Sequence, residues 1–329
     1  IITRAYSRAG FVGNPSDGYN GKTISFTFDN FYAETVMYEA PHIEVLPNNR
    51  DRSIYQSLDD LEQNVREYGY YGGIRLLQAA LKKFHDYCRA RGISVGNRGF
   101  ALRYFVNIPH HVGMAGSSAL ITACFRGLMK FYGVEIPKPE LANIILAVES
   151  EELGIGAGLQ DRVAQVYQGL TYMDFDKKLM DAQGHGNYSP LDPSLLPNIY
   201  IAYKRELSEG SEVFHNNIRA RFNSGEKLVV DAMRTWAELT DQVRDALLAG
   251  RKEEIGRLLN ANFDLRRSIY ELHPDNIQMV ETARSVGASA KFTGSGGAIV
   301  GTYDDDDMFS GLEKVLEPLS IAVFKPNII

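Results

Sequence analysis

The stretch Pro109-His110-His111-Val112-Gly113-Met114-Ala115-Gly116-Ser117-Ser118-Ala119 constrains the fold more than any other part of the chain. Before it, residues 100–106 read as a β-strand that Asn107-Ile108-Pro109 brings to an end. After it, Leu120, Ala123, Cys124, Gly127, Leu128 and Phe131 mark one face of a helix over residues 119–132. A strand, a run of small residues and an apolar helix form a turn in which the backbone can approach a ligand closely. The first amides of the helix point outward unpaired and its dipole adds positive potential, so the turn favours a phosphate. Ser117 and Ser118 add hydroxyl donors and a candidate magnesium ligand. The competing explanation is a plain strand-to-helix connection with Ser117 as N-cap.

Two further segments carry candidate chemistry. Lys291-Phe292-Thr293-Gly294-Ser295-Gly296-Gly297-Ala298 is a second glycine-rich loop, either an anion nest or close-packed wall beside the first loop, or a tight turn between strands. Gly158-Leu159-Gln160-Asp161-Arg162 follows an acidic helix end at Glu149, Glu151 and Glu152. An Asp beside an Arg can orient or deprotonate a hydroxyl, and a nearby Glu can hold magnesium; the alternative places Asp161 and Arg162 in solvent. Asn20-Gly21-Lys22-Thr23 imitates the tail of a P-loop, but Ser16 stands where the first glycine belongs, and the following residues alternate like a strand. The His-Arg-Asp and Asp-Phe-Gly triplets of protein kinases are missing.

Elsewhere, residues 24–28 and 32–38 read as strands, with Asp29-Asn30 as a hairpin turn. Helical patterns cover 72–91, 141–152, 161–167, 227–249, 252–272 and 274–286, and strands 170–175, 199–203 and 298–303. Asp304 to Asp307 read as a solvated turn, and His185 as an incidental loop residue. Pro190, Pro193 and Pro197 mark the expected boundary, with domains at 1–195 and 196–329. Mixed α and β without regular βαβ alternation predicts an α+β, two-domain enzyme. The 329 residues, 44% apolar and 23% charged, are enough for a core that needs no metal or disulfide staple. Cys88 and Cys124 fall on apolar helix faces and are too few for a disulfide framework, so a cytoplasmic location is expected. A net charge of −6 argues against nucleic acid, and no apolar run reaches the ~18 residues of a membrane span. The first residues, Ile1-Ile2-Thr3-Arg4, lack both a starting Met and a leader's apolar stretch, so a trimmed N-terminus is expected.

Together with the N-terminal text, these segments resemble the GHMP small-molecule kinases, named for galactokinase, homoserine, mevalonate and phosphomevalonate kinases. The run from Arg8 through Gly13-Asn14-Pro15-Ser16-Asp17-Gly18-Tyr19-Asn20-Gly21 resembles their first motif, R-x-N-L-x-G-E-H-x-D-Y-N-G in sugar kinases. Residues 109–119 resemble the phosphate-binding motif P-x-x-x-G-L-G-S-S-A, residues 158–162 the segment of the catalytic Asp, and residues 294–297 the third motif. The wording of these motifs, with Tyr70-Tyr71-Gly72-Gly73 and Asn262-Phe263-Asp264-Leu265-Arg266-Arg267, is most similar to glucuronokinases.

The resemblance implies a left-handed β-α-β element in the N-terminal domain, a ferredoxin-like C-terminal α/β domain and an active site in the cleft between them. It implies an ATP- and Mg2+-dependent sugar-1-kinase, monomer or homodimer, that phosphorylates the anomeric hydroxyl of D-glucuronic acid. The alternatives are a kinase for another sugar, of the L-fucose or heptose phosphate type, or an ATP-dependent decarboxylase. Carried across position by position, Asp161 and Arg8 become catalytic, and Gly113, Ala115, Gly116, Ser117, Ser118 and Ala119 bind ATP. Ser118 and Glu149 become metal ligands, with Glu151 and Glu152 leaving the register of the Glu open. Asn14, Asp17, Arg266, Gly294, Ser295 and Gly296 line the sugar site. A sugar acid needs a cation or amides for its carboxylate, and Arg162, Arg266, Arg267 and Lys291 are the candidates, Arg266 preferred.

Overall fold

A computed structural model describes residues 1–48, 51, 55–68, 72–205 and 212–329. Tyr70 and Tyr71 lie outside the described residues. The chain separates into two units: Ile1–Ser7, Asn30–Ile108 and Ala115–Val166 form the first; Arg8–Asp29, Pro109–Met114 and Tyr167–Ile329 form the second. Two strands, β1 (Ile2–Val12) and β2 (Lys22–Ala40), run through both.

In the first unit, β2 pairs antiparallel with β4 (Gly99–Val106) from Ala33↔Val106 to Ala40↔Gly99, and the short β3 (Glu44–Val45) adds to β4 in parallel. The helices are α1 (Leu58–Tyr68), α2 (Gly73–Ala90), α3 (Gly116–Tyr132), α4 (Lys138–Ala147) and α5 (Leu159–Tyr167), the last continuing one residue into the second unit. Helix α3 is apolar nearly all round and buries Leu120, Ile121, Cys124, Phe125 and Leu128, the pattern of a helix enclosed by its neighbours rather than laid on a surface. Cys88 and Cys124 are both buried free thiols, and burial pushes the Cys124 pKa up to about 12.

In the second unit, β2 pairs with β5 (Leu170–Asp174), and β5 with β6 (Asn187–Leu191). A four-stranded antiparallel sheet has the order β10-β7-β9-β8, built from β7 (Ile199–Lys204), β8 (Lys291–Phe292), β9 (Ala298–Thr302) and β10 (Ile321–Phe324). Its helices are α6 (Lys177–Gln183), α7 (Glu212–Asn223), α8 (Lys227–Leu248), α9 (Ile255–Ile269), α10 (Pro274–Arg284) and α11 (Asp306–Leu316). Tyr200, Phe263, Met279, Phe292, Ile299 and Leu312 form its core.

Three expectations change. The hairpin at Asp29-Asn30 is absent: β2 continues for 19 residues. The Asp29 amide donates to the Asn327 carbonyl at 3.0 Å, and Asn327 Nδ2 donates to Asp29 Oδ1 at 2.7 Å. The C-terminal tail thus satisfies in the extended state the polar groups that favour a turn in isolation. The helix read over 141–152 stops at Ala147 and passes into a π-helical turn, Val148–Glu152. The aspartates after Asp304 open α11 instead of forming a free turn, with Asp305 as N-cap accepting from the Met308 amide at 2.9 Å. Lys22 and Thr23 open a strand, as the rejection of the P-loop requires. Among the described residues, no helix is long and apolar enough to cross a membrane.

Candidate active site

The phosphate-type turn is built as its composition predicts. Ala115 takes a left-handed conformation, φ 61°, and α3 starts at Gly116, three residues before the apolar stripe alone suggests. The amide of Ala119 makes a 3.1 Å hydrogen bond to the Ala115 carbonyl. The amides of Gly116, Ser117 and Ser118 precede that first helical bond, so they are the donors an anion meets at this end of the helix. Gln165 Nε2 steadies the turn from α5, donating to the Ala115 carbonyl at 2.9 Å and the Tyr6 carbonyl at 3.1 Å.

In the same unit the π-helical turn sorts the three glutamates. Glu151 and Glu152 face outward to α2, where Lys83 binds Glu151 at 2.6 Å and Lys82 binds Glu152 at 2.7 Å. The Lys82 contact holds the Glu152 pKa below its ordinary value. Glu149 turns inward and is 3% exposed, accepting from Ser117 Oγ at 2.7 Å and pairing with the equally buried Arg162. Such single π-turns recur at functional sites because one extra residue re-aims the side chains around it. Ser118 is also buried, but its hydroxyl donates to the Ala115 carbonyl at 3.2 Å. Ser117, expected among the ATP-binding residues with an N-cap as the competing explanation, lies inside α3 behind the N-cap Ala115 and is the hydroxyl beside the acidic group.

Asp161 stands in the first turn of α5, with Arg162 Nη1 3.5 Å from its Oδ2; the same nitrogen donates to the Gly158 carbonyl at 2.8 Å. Arg162 is thus occupied within this cluster. Its burial excludes the solvent-facing alternative for Arg162, and Gln165 is a supporting residue that sequence reasoning misses, although the i,i+4 spacing of Asp161 and Gln165 puts both on one helix face.

The second unit brings the two glycine-rich loops together. A Cβ built on Gly294 would lie 2.6 Å from the Gly113 carbonyl oxygen, and one on Gly297, at φ 78°, would lie 3.0 Å from Val112 Cα. Arg8, 4% exposed, clamps this contact, its Nη1 donating to the carbonyls of Gly113 and Thr293 at 2.9 Å each. Because backbone opposes backbone here, Gly294→Ala is expected to lower stability by about 1–3 kcal/mol. Thermal denaturation beside Gly156→Ala, where an added Cβ meets nothing within 4 Å, measures it. Equal midpoints for the two variants would contradict the packing.

The first-motif turn is fastened within the same unit. Asn262 Oδ1 accepts from the Gly13 amide at 2.7 Å. Lys291, 1% exposed, donates to the Gly10 carbonyl and Asn14 Oδ1 at 2.6 Å and to the Phe292 carbonyl at 2.7 Å. Burial, then the charges of Arg266 and Arg8, push its pKa well below the ordinary lysine value. All three protons of an ammonium are used, so Lys291 braces Asn14 rather than awaiting a ligand. Arg266 is buried between the rings of Tyr270 and Phe292, each 5.2 Å away, and donates to the Gly294 carbonyl at 2.8 Å. Asp17, in the 3-10 turn Ser16–Tyr19, is close enough to offset part of the burial that lowers the Arg266 pKa. Arg267 pairs on the surface with Glu281 at 2.7 Å. Ser295 and Gly296 continue the loop that Arg266 supports, with Ser295 partly exposed. Among the described residues, His185 hydrogen-bonds within its own turn, to Gln183 and the Gly186 carbonyl.

A separate cavity of about 780 Å3, lined by Lys252, Arg257, Asp264 and Tyr303 among others, holds none of these residues. Of its polar walls, Ser289 and Thr302 hydrogen-bond to each other at 2.8 Å, and Asp264 pairs at 2.6 Å with Arg284 behind the lining.

Two family models match the chain: "GHMP kinases N terminal domain" over residues 75–169 and "GHMP kinases C terminal" over 243–319. Glucuronokinase 1 of Arabidopsis thaliana is 44% identical over 306 residues, covering 91% of this chain and 84% of the relative. Probable glucuronokinase 2 of the same plant is 44% identical over 304 residues, covering 90% and 82%. Among solved structures, the mevalonate kinase of Methanococcus jannaschii superposes with a TM-score of 0.74 at 19% identity, over 100% of this chain and 98% of the other, which shows a shared fold.

Proposed function

Because this chain belongs to the GHMP kinases, we propose that it is a glucuronokinase, transferring the γ-phosphoryl group of ATP to the anomeric hydroxyl of D-glucuronic acid. The products are ADP and D-glucuronate 1-phosphate. The observation that carries the reaction type is the start of α3, where three leading amides and Ser117 adjoin the inward-facing Glu149. The choice of sugar acid rests on the 44% identity to the two plant relatives.

Each group then has a task within its own unit. The amides of Gly116, Ser117 and Ser118, with the α3 dipole, attract the phosphates; Ala119 continues the helix behind them, and Gly113 gives its loop a close approach. One carboxylate with one neighbouring hydroxyl fits Mg2+, which takes one or two protein oxygens and completes its octahedron with phosphate and water. Glu149 would hold it, with Ser117 as the adjacent hydroxyl where the family pattern assigns Ser118. Magnesium, when bound, neutralises charge on the phosphates. Asp161 orients the anomeric hydroxyl and accepts its proton. Arg8 offsets negative charge on the transferring group. Asp17 grips sugar hydroxyls, Asn14 and Arg266 hold the walls of that site, and Gly294, Ser295 and Gly296 form its loop. Since few covalent changes fall to the protein, positioning and charge account for most of the rate. A cytoplasmic enzyme acting as monomer or homodimer completes the proposal.

An ADP-release assay with D-glucuronate, D-galacturonate, D-galactose, L-fucose and D-mannose tests it. The expected result is the highest kcat/KM for D-glucuronate. A faster reaction with L-fucose or another neutral sugar overturns the sugar-acid assignment, and ATP-dependent release of carbon dioxide overturns the kinase assignment.

A further inference from the structure

Of the four cations nominated for a substrate carboxylate, Arg162 is paired with Glu149, Arg267 with Glu281 and Lys291 with three oxygens, and Arg266 is buried, 3% exposed, against the Gly294 carbonyl. A different cation stands at the sugar-binding turn. Arg219, on α7, is exposed and places its guanidinium 4.5 Å over the ring of Tyr19, while Nη1 donates to the Gly18 carbonyl at 2.8 Å. A Cβ built on Gly18 would lie 3.1 Å from Arg219 Nη2, so glycine at that position lets the guanidinium settle on the turn. Phe222, one helical turn further along α7, meets Tyr19 edge-on at 4.9 Å and fixes the helix against the turn. Among the described residues, the partners of Arg219 are a carbonyl and an aromatic face, both neutral. Its charge is therefore held at the turn that carries Asp17, paired with no carboxylate among the described residues.

We propose that Arg219 is the specificity-determining residue for an acidic sugar, its guanidinium pairing with the substrate carboxylate while Asp17 of the same turn takes hydroxyls. A guanidinium presents parallel charged donors that match the two oxygens of a carboxylate, and a neutral hexose carries no opposite charge to pair with them. Clamping by Tyr19 and Gly18 reduces the rotamer freedom lost on binding. The assignment rests on the glucuronokinase reading and adds the residue that discriminates the acid.

The test compares D-glucuronate with D-glucuronamide, its uncharged amide, in the wild type and in Arg219→Gln and Arg219→Lys. Arg219→Gln is expected to raise KM for glucuronate about tenfold, with KM for glucuronamide and for ATP changed less than about twofold. Arg219→Lys, which keeps the charge, is expected to restore part of the preference. If Arg219→Gln weakens both acceptors equally, the residue only supports the turn and the proposal fails. If the wild type uses glucuronate and the variant keeps the acid-to-amide ratio, this proposal alone fails; a wild type inactive on glucuronate overturns the glucuronokinase reading as well.

Discussion

Asp161→Asn is expected to lower turnover by about two to four orders of magnitude, the usual contribution of a positioned proton acceptor, while binding of ATP persists. The substitution keeps size and one hydrogen-bonding oxygen but removes the carboxylate proposed to take the sugar hydroxyl's proton. Stability should change little, because the side chain is 23% exposed and Arg162 lies 3.5 Å away with Glu149 as its main partner. Steady-state kinetics, nucleotide binding by calorimetry and a thermal melt separate these effects. Turnover within about threefold of wild type would remove Asp161 from the proton transfer.

Arg162→Met is expected to act in the opposite way, through the fold first. The Arg162–Glu149 pair is 3% exposed on both sides, so methionine would leave a carboxylate in the interior with Ser117 as its remaining partner. Losing one member of a buried pair costs about 3–5 kcal/mol, several-fold more than an exposed pair is worth. Adding Glu149→Gln to Arg162→Met should recover a large part of the loss, since the orphaned charge is gone, yet activity should stay low because the carboxylate proposed to hold the metal is gone too. Urea denaturation of both variants and the wild type checks this. A single variant as stable as wild type would contradict the burial of the pair. By contrast, removing the surface Arg267–Glu281 pair should alter stability by less than about 1 kcal/mol, which sets the scale.

The local text reveals much of this site and leaves particular residues undecided. Pro109 to Ala119 announces a strand, a turn and a helix because proline, glycine and the 3.6-residue stripe act within a few positions of one another. The same holds for α8 and α9, where apolar residues recur along one face. At Asp29-Asn30 the local preference for a turn is real but is outweighed by Asn327, almost 300 positions away, whose contacts no local pattern reveals. Which glutamate turns inward is likewise set by lysines on α2 and by the π-turn, not by the spelling Glu149-Ser150-Glu151-Glu152.

What the order of amino acids determined unaided is the inventory: the glycine-rich loops, the acidic residue opening α5, the mixed α+β class and the kinship to sugar kinases. Each of these depends on neighbours close along the chain, where propensity and spacing act directly. Only the tertiary structure decided which members of that inventory are committed. It turned Glu149 inward, put Ser117 rather than Ser118 beside it, saturated Lys291 and set Arg219 against a carbonyl and an aromatic ring. A side chain's availability is set by the groups packed around it, and those groups come from distant parts of the chain.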